Sequence, residues 1–304
     1  MPTAGMMPYV WMLSGCFWFS LMALLAHSVG PDKCDWQVVA LARSGLATLF
    51  ALVTAVATGA RLVFFRPGIL WVRSVAGSCS MVATFYALTH LPASEVLTLT
   101  NTFPVWVAVL AWPMAGERPT AGVAAAVGSA VAGVALTQKP HLGGFPLAAW
   151  AALVASLLTA VAMLGLNRLR GVSSLGIVVH FSAVATLFCG AAYFVFDRHV
   201  GLGRAADGEV LWRLLGVGAT ATVGQVFLTL AFSRGTATKV AIVGLSQVVM
   251  VMAFEAAAGW NRFDASELLG TALVLGPTAW LMARARKRPA ERKGGAVVEE
   301  VAIE

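Results

Sequence analysis

Three ionisable side chains lie inside long apolar stretches of this sequence, where a charge is costly unless it has a partner or a function. Arg43 lies seven residues into the second stretch, Glu95 opens the fourth, and Glu255 lies close to the end of the ninth. In an apolar cavity, an arginine binds a carboxylate or phosphate, whereas a glutamate binds a cationic group or exchanges a proton. A structural alternative remains open: Arg43 could pair with a glutamate and join two helices, and Glu95 could extend to the interface.

The fourth apolar stretch also carries a line of polar side chains. Thr98, Asn101 and Thr102 have the spacing i, i+3, i+4, which continues to Val105 at i+7 and puts them on one face of a helix. Pro104 has no N–H, so it leaves a backbone carbonyl one turn earlier without its usual donor. A polar stripe beside a free acceptor favours a binding groove, although hydrogen bonds between helices are a simpler use for the same groups.

The second half of the chain offers different polar groups. Gln225 is the large polar side chain of the eighth stretch, and Gln247 lies in the ninth, on the same helix as Glu255. His180 is far enough inside the seventh stretch to be a candidate for proton transfer. Three aromatic residues accompany the polar helices and are candidates for ligand contact, although packing is the more common role: Trp18, Tyr86 and Trp106.

These side chains must be positioned by helices in a membrane. The 304 residues are 59% apolar and only 12% charged, the mean hydropathy is +0.81, and a soluble domain would have about 25% charged residues. A spanning helix needs roughly 20 apolar residues. The predicted fold class is therefore an all-α integral membrane protein with ten transmembrane helices, at 7–28, 36–58, 68–89, 94–115, 120–137, 145–166, 174–196, 210–232, 238–259 and 265–284.

The positive charges predict the orientation of these helices. Fourteen lysines and arginines fall on the side shared with the C-terminus, if Arg73 at a helix entrance is included, and six fall on the other side. Cytoplasmic loops carry the excess of such residues. We therefore expect a multi-pass protein of the cytoplasmic (inner) membrane with both termini cytoplasmic. The net charge of +7 is then a topology signal, and no nucleic-acid partner is predicted.

The chain also repeats itself. Residues 87–121 align with 231–265 at a constant offset of 144, and Ala47–Phe50 recurs at an offset of 138 as Ala185–Phe188. Five helices per copy is an odd number, so the second copy enters the membrane upside down, as in many secondary transporters. The predicted repeats are 7–137 (helices 1–5) and 145–285 (helices 6–10), followed by a cytoplasmic disordered tail at 286–304.

Motifs for other functions are not present in the sequence. It has no phosphate-binding G-x-x-x-x-G-K-[ST], no H-E-x-x-H and no G-x-S-x-G, so an ATP-driven pump or a hydrolase is not indicated. The four cysteines have neither metal-ligand nor paired spacing. We expect no enzymatic activity, no cofactor and no metal site.

Several short motifs, in order, resemble the drug/metabolite transporter superfamily, in particular its EamA-type ten-helix transporters. They are Ala42–Ser44 with Arg43 at the centre, Phe85–Leu88, Leu91–Ser94, Thr102–Val105 and Gly116–Pro119. The resemblance covers residues 8–285. The second copy departs from the first, because it has Val248 in place of the proline and Asn261 in place of Glu117.

The resemblance implies a carrier of small metabolites, coupled to protons or another gradient or simply facilitative. It also implies a central cavity formed by helices 1, 3, 4, 6, 8 and 9. We expect a small-molecule substrate, zwitterionic or anionic and amino-acid-like, that is carried by alternating access. The lipid bilayer is a second partner, and protons are a third if transport is proton-coupled. The expected oligomeric state is a monomer or a homodimer. Two alternatives remain open: a multidrug or cation exporter that uses Glu255, and a membrane protein that does not transport.

Overall fold

The computed structural model describes residues 5–29, 33–90, 93–115, 120–138, 147–196, 204–259, 264–277 and 279–280. All regular elements within these ranges are helices. They are α1 (Met7–Val29), α2 (Trp36–Ala57), α3 (Ile69–His90), α4 (Ala93–Thr100), α5 (Phe103–Ala115), α6 (Ala121–Gln138), α7 (Leu147–Arg168), α8 (Ser174–Val195), α9 (Gly208–Arg234), α10 (Ala237–Gly244), α11 (Ser246–Ala257) and α12 (Ala265–Pro277). The predicted tail at 286–304 lies outside the described residues.

Within the described ranges, six helical segments are long and apolar enough to cross a membrane, if α10 and α11 are taken as one. Three shorter apolar segments accompany them, in α5, α6 and α12. In lipid a backbone has no solvent to bind, so apolar segments of this length must be helical. The chain is a multi-pass, all-helical membrane protein.

Local sequence explains where several helices begin and end. Gly59, with φ of 64°, and Gly259, with φ of 75°, follow the last turns of α2 and α11 in the left-handed conformation that glycine adopts without strain. At the start of α12, Asp264 Oδ1 accepts a hydrogen bond from the Glu267 N–H at 2.9 Å, and Glu267 Oε2 accepts one from the Asp264 N–H at 3.0 Å. This reciprocal pair is a capping box.

The predicted fourth and ninth spans are each divided in two. The fourth is interrupted at Asn101–Thr102, between α4 and α5, and the ninth at Leu245, between α10 and α11. Pro104 accounts for the first break, because it cannot donate the backbone hydrogen bond of an unbroken helix. The second break has no proline. There the Cys16 thiol of α1 lies 3.4 Å from the Gly244 carbonyl, and the Ser20 hydroxyl, which donates to the Cys16 carbonyl at 2.7 Å, lies 3.2 Å from that of Gln247.

The long helices pack in pairs that join the first part of the chain to the second. α1 packs along α9, α3 along α7, and α2 along α8. Small residues let α6 and α12 approach closely, as the spacing of Ser129 and Gly133 predicts: a Cβ on Gly133 would lie 2.6 Å from the Gly270 carbonyl oxygen. The Ser129 hydroxyl donates a hydrogen bond to the Leu273 carbonyl at 3.2 Å.

The two ends of the bundle differ. At the closed end, where α1 and α3 begin and α7 and α9 finish, buried apolar side chains form the largest core cluster; it includes Met12, Leu70, Leu164, Leu166 and Phe232. At the open end, where α1 and α3 finish and α9 begins, exposed side chains such as His27 and Leu97 surround the mouth of a cavity.

Candidate functional site

A cavity of about 590 Å³ runs between the helices from the open end towards the closed end. It begins among exposed residues such as Leu97 and ends against the fully buried Phe232. Its walls come from α1, α3, α7, α9 and the two divided spans, as the family resemblance implies. They also include Arg43 of α2 and Phe181 of α8, on helices that the resemblance does not include. The volume suits a small organic ligand.

Arg43 and Glu255 both line this cavity. Arg43 Nη1 lies 3.4 Å from the sulfur of Met81, a weak acceptor. Among the described residues neither Arg43 nor Glu255 has an ion-pair partner. The structural alternative, in which Arg43 pairs with a glutamate and joins two helices, is therefore not observed between Arg43 and Glu255.

The polar lining also includes three amide side chains: Asn101, Gln225 and Gln247. Asn101 lies at the break in the fourth span, where its Nδ2 donates to the Leu97 carbonyl at 2.7 Å. Gln225 is buried in α9, and its Nε2 has no hydrogen-bond partner within the described residues. An amide donor without a partner in an apolar wall costs about 1–3 kcal/mol, so a ligand that accepts its hydrogen bond would recover that energy.

Arg73 is the functional candidate that sequence reasoning missed. It was counted at a helix entrance, and it is the fifth residue of α3, but its side chain is 1% exposed and lines the cavity. Its position in the sequence could not show which face of α3 it occupies. Arg73, Gly77 and Met81, at i, i+4 and i+8, all line the cavity, and this spacing was the available signal.

Other predicted site residues lie outside the cavity lining in the described part of the chain. The Thr102 hydroxyl meets that of Ser156 at 2.9 Å, in contact with α7. Trp106 packs against the large core cluster. Trp18 is edge-on to Phe17, with ring centroids 5.7 Å apart, and Tyr86 lies at the open end, 4.4 Å from the His90 ring.

His180 likewise lies away from the cavity, in the contact between α3 and α8. Its Nδ1 is 2.8 Å from the Ser74 hydroxyl, and its ring stands edge-on to Trp71 at 4.6 Å. Proton transfer by His180 stays a prediction. The side chains of Glu95 and Thr98 fall outside the described residues, so their predicted roles stay predictions as well.

Known proteins share both the fold and parts of the sequence. Residues 6–138 match the model of the EamA-like transporter family. A protein named pseudopaline exporter CntI, from Pseudomonas aeruginosa, is 29% identical over 267 residues, which cover 85% of this chain and 90% of that protein. An uncharacterized transporter of Helicobacter pylori is 24% identical over 207 residues, 67% of this chain and 69% of the relative.

A solved crystal structure of another protein has the same fold, with a TM-score of 0.79 and 17% identity, over 92% of this chain and 98% of that one. The family match and the exporter similarity both agree with the motifs around Arg43 and Pro104. Residues 6–138 are therefore similar to the EamA-like transporter family, and the longer chain is similar to a named exporter.

Proposed function

We propose that this protein is a secondary carrier that moves small zwitterionic or anionic organic metabolites across the inner membrane by alternating access. The observation that carries the proposal is the cavity itself. It is enclosed by apolar helix faces, and among the described residues Arg43 and Glu255 in its lining have no ion-pair partner and Gln225 Nε2 has no hydrogen-bond partner. Charged groups kept without partners in a membrane interior serve a ligand or an ion.

The relatives support export as the direction of transport. The exporter of pseudopaline in Pseudomonas aeruginosa matches 85% of this chain. We propose that the chain releases a metabolite from the cytoplasm, with both termini on the cytoplasmic side. In that orientation the open end faces outward, and the closed end faces the cytoplasm.

We further propose that ten spans form two inverted repeats, 7–137 and 145–285. The helix breaks support this: Asn101 and Leu245 are 144 positions apart, the offset at which residues 87–121 align with 231–265. The packing pairs support it as well. Under the repeat, α1 corresponds to α7 and α3 to α9, so the α1–α9 contact corresponds to the α7–α3 contact. The hydroxyls of Thr48 and Thr186, which are equivalent at the offset of 138, meet at 3.2 Å.

A counterflow assay in proteoliposomes tests transport. Vesicles preloaded with one compound from a panel of amino acids and their derivatives should take up the labelled compound faster than empty vesicles. Arg43→Gln and Gln225→Ala should each reduce this uptake at least tenfold, since both remove a donor from the cavity. The matched control is Arg61→Gln, an exposed arginine outside the cavity. Equal uptake in wild type, Arg43→Gln and Gln225→Ala would reject this site.

A cation exporter is the second candidate, because Glu255 lines the cavity without an ion-pair partner among the described residues. A cationic drug or a coupling proton would then bind this carboxylate. Glu255→Gln, which keeps the size and removes the charge, distinguishes the candidates. If Glu255→Gln abolishes the flux of cations, and anionic metabolites do not compete with that flux in the wild type, the cation exporter is supported. If anionic compounds compete for transport and Glu255→Gln changes only the pH dependence of uptake, the cation exporter is rejected.

A further inference from the structure

Arg73 is held in the structure without an ionic partner. It is the fifth residue of α3 and is almost completely buried, at 1% exposure. Its Nε and Nη1 have no hydrogen-bond partner within the described residues, and none of the described ion pairs includes it. The cost of burying a guanidinium is several kcal/mol unless it is paired and hydrogen-bonded.

One contact reduces this cost in part. The Cζ of Arg73 lies 3.7 Å from the centre of the Phe181 ring, a cation–π contact. The ring faces one side of a planar group that has five N–H donors. Nε and Nη1 are enclosed by protein atoms, so Nη2 is the nitrogen left to reach an acidic group in the cavity.

The two arginines of the cavity share one wall. Arg73 Nη1 lies 3.5 Å from the position that a Cβ on Gly77 would occupy, and Arg43 Nη1 lies 3.4 Å from the Met81 sulfur. Gly77 and Met81 are four residues apart on α3, which corresponds to about 6 Å along the helix axis. Both guanidinium groups thus approach the same face of α3 at two depths, and glycine at 77 leaves room for Phe181, whose Cε2 would lie 2.9 Å from a Cβ there.

Charge balance in the lining points the same way. The described lining contains two arginines and one glutamate, with His27 taken as neutral, so its net charge is +1. The Gln225 amide of α9 adds a further donor without a partner among the described residues. Gln225, Arg43 and Phe181 also line a small neighbouring pocket. A ligand with a single carboxylate would satisfy one arginine and leave the other unpaired.

We propose that the transported compound carries two separate acidic groups, one bound by Arg43 and the other by Arg73, with any basic nitrogen directed to Glu255. This rests on the proposed carrier function and makes its substrate class specific. The ligand class is a zwitterion with two acids and one basic nitrogen, of net charge −1, whose acidic groups are about one helical turn apart. Glycine at position 77 and the aromatic ring of Phe181 then serve as positioning residues for the deeper arginine.

Binding to the purified full-length protein tests this directly. The probes are dicarboxylates with two to six atoms between the acids, with and without an amino group, each compared with its own monoamide. Thermal stabilisation reports binding, because a ligand stabilises the folded state by an amount that grows with the logarithm of its concentration over its Kd. We expect at least one diacid to bind about 10- to 100-fold more tightly than its monoamide, as one charge-assisted contact is worth that factor.

The Arg73→Gln variant should remove this preference, so that diacid and monoamide bind equally weakly. Arg73→Lys, which keeps the charge and loses the paired donors, should restore part of the preference and also shows that the fold survives. Arg61→Gln is the surface control and should bind like the wild type. The inference is overturned if no diacid is preferred to its monoamide, or if Arg73→Gln keeps the preference, or if a monophosphate ester binds as tightly as the best diacid.

The failure of this inference is distinguishable from failure of the carrier function. If monoacidic amino acids show counterflow that Arg43→Gln abolishes and Arg73→Gln leaves intact, the carrier stands and the two-acid substrate does not. If no compound in either panel shows counterflow while several diacids bind, the binding site stands and transport does not.

Discussion

The open and closed ends of the bundle differ in which helices are in contact. At the closed end α7 and α9 are in contact, and Asn167 Nδ2 of α7 donates to the carbonyls of Phe232 and Gly235, at 3.0 and 2.7 Å. At the open end the corresponding pair under the proposed repeat is α1 and α3. These two helices have no packing contact of similar extent among the described residues, and the cavity lies between them.

This difference indicates how the same helices could form two conformations, each open at a different end. If the two copies exchange their arrangements, α1 and α3 close over the cavity and α7 and α9 separate at the other end. The bound compound would then be exposed to the opposite side of the membrane without a large movement of its own. The contacts of the closed end that must break in this exchange are specific ones, so the comparison can be tested by weakening them.

The largest effect is expected from Asn167→Leu. The leucine keeps the branched shape, although it is larger, and it leaves two buried carbonyls without a donor, at a cost of about 1–3 kcal/mol for each unsatisfied group. The midpoint of thermal unfolding in detergent should fall. In a background without native cysteines, a cysteine at the buried position Ala231 should also become reactive to a thiol reagent.

The control for that variant is Ser129→Ala, which removes one hydroxyl hydrogen bond to the Leu273 carbonyl, far from Asn167 in the chain. It should lower stability by less than about 1 kcal/mol and leave Ala231→Cys protected. Equal labelling of Ala231→Cys with and without Asn167→Leu would show that Asn167 does not keep the closed end together.

The next largest effect is expected from Gly235→Ala at the closed end. The new Cβ would lie 2.5 Å from Val240 Cγ2 and 2.8 Å from the Ala231 carbonyl oxygen, so the end of α9 must shift. Overpacking of this kind costs about 1–3 kcal/mol, measured as a lower unfolding temperature. Gly128→Ala in α6 is the matched control: nothing lies within 4 Å of its Cβ, so stability should stay the same or rise slightly.

A smaller effect is expected where the copies meet. The hydroxyls of Thr48 and Thr186 are 3.2 Å apart, but each already donates to a carbonyl of its own helix, that of Ser44 and that of Ser182. Each hydroxyl has one hydrogen, which it already donates within its own helix, so the hydrogen bond between the two hydroxyls is weak. Thr48→Val should therefore change the free energy of unfolding by less than about 1 kcal/mol, and a loss of several kcal/mol would contradict this view of the contact.

The smallest effect concerns Cys34, a buried residue between α1 and α2 at the open end. Burial raises the pKa of its thiol above the ordinary 9.0, and the carboxylates of Asp35 and Asp207 raise it further. The neutral thiol is thus favoured on folding, and this contribution is present below pH 9.0 and lost as the pH rises through the raised pKa. Asp207→Asn removes one of the carboxylates, so the thiolate fraction at pH 8 should increase.

The measurement is the rate of alkylation of Cys34 in a chain whose other three cysteines are alanine. At constant burial the rate should rise about two- to threefold in Asp207→Asn. A change of similar size in Glu209→Gln, a nearby acidic residue that is bound to Arg213, would mean that the effect is not specific to Asp207.

Apolar runs predict helix positions well, because lipid leaves a long apolar chain no other structure. Residues 36–58 predict α2, which spans Trp36–Ala57, and 174–196 predict α8 at Ser174–Val195. The break at Leu245 could not be predicted in the same way. It is accompanied by contacts with α1, at Cys16 and Ser20, and these are more than 220 residues away in the chain.

The candidate site was predicted less completely than the helices. Arg43, Asn101, Gln225, Gln247 and Glu255 line one cavity, since isolated polar residues in apolar helices rarely face lipid. Aromatic residues such as Trp18 and Trp106 gave no such signal, because an aromatic ring packs equally well in a core. Arg73 was missed because distance along the chain from a helix end does not report the direction of its side chain.

The interruption at Leu245 has a mechanical consequence. A continuous helix transmits a tilt along its full length, so closing the mouth of the cavity would disturb the packed interior. The ninth span is two separate rods: α10 is buried on every turn, whereas α11 carries Gln247 and Glu255 along the cavity. Under the proposed alternating access, a small change of backbone dihedrals at Leu245 would let α11 tilt with a bound compound while α10 keeps its neighbours.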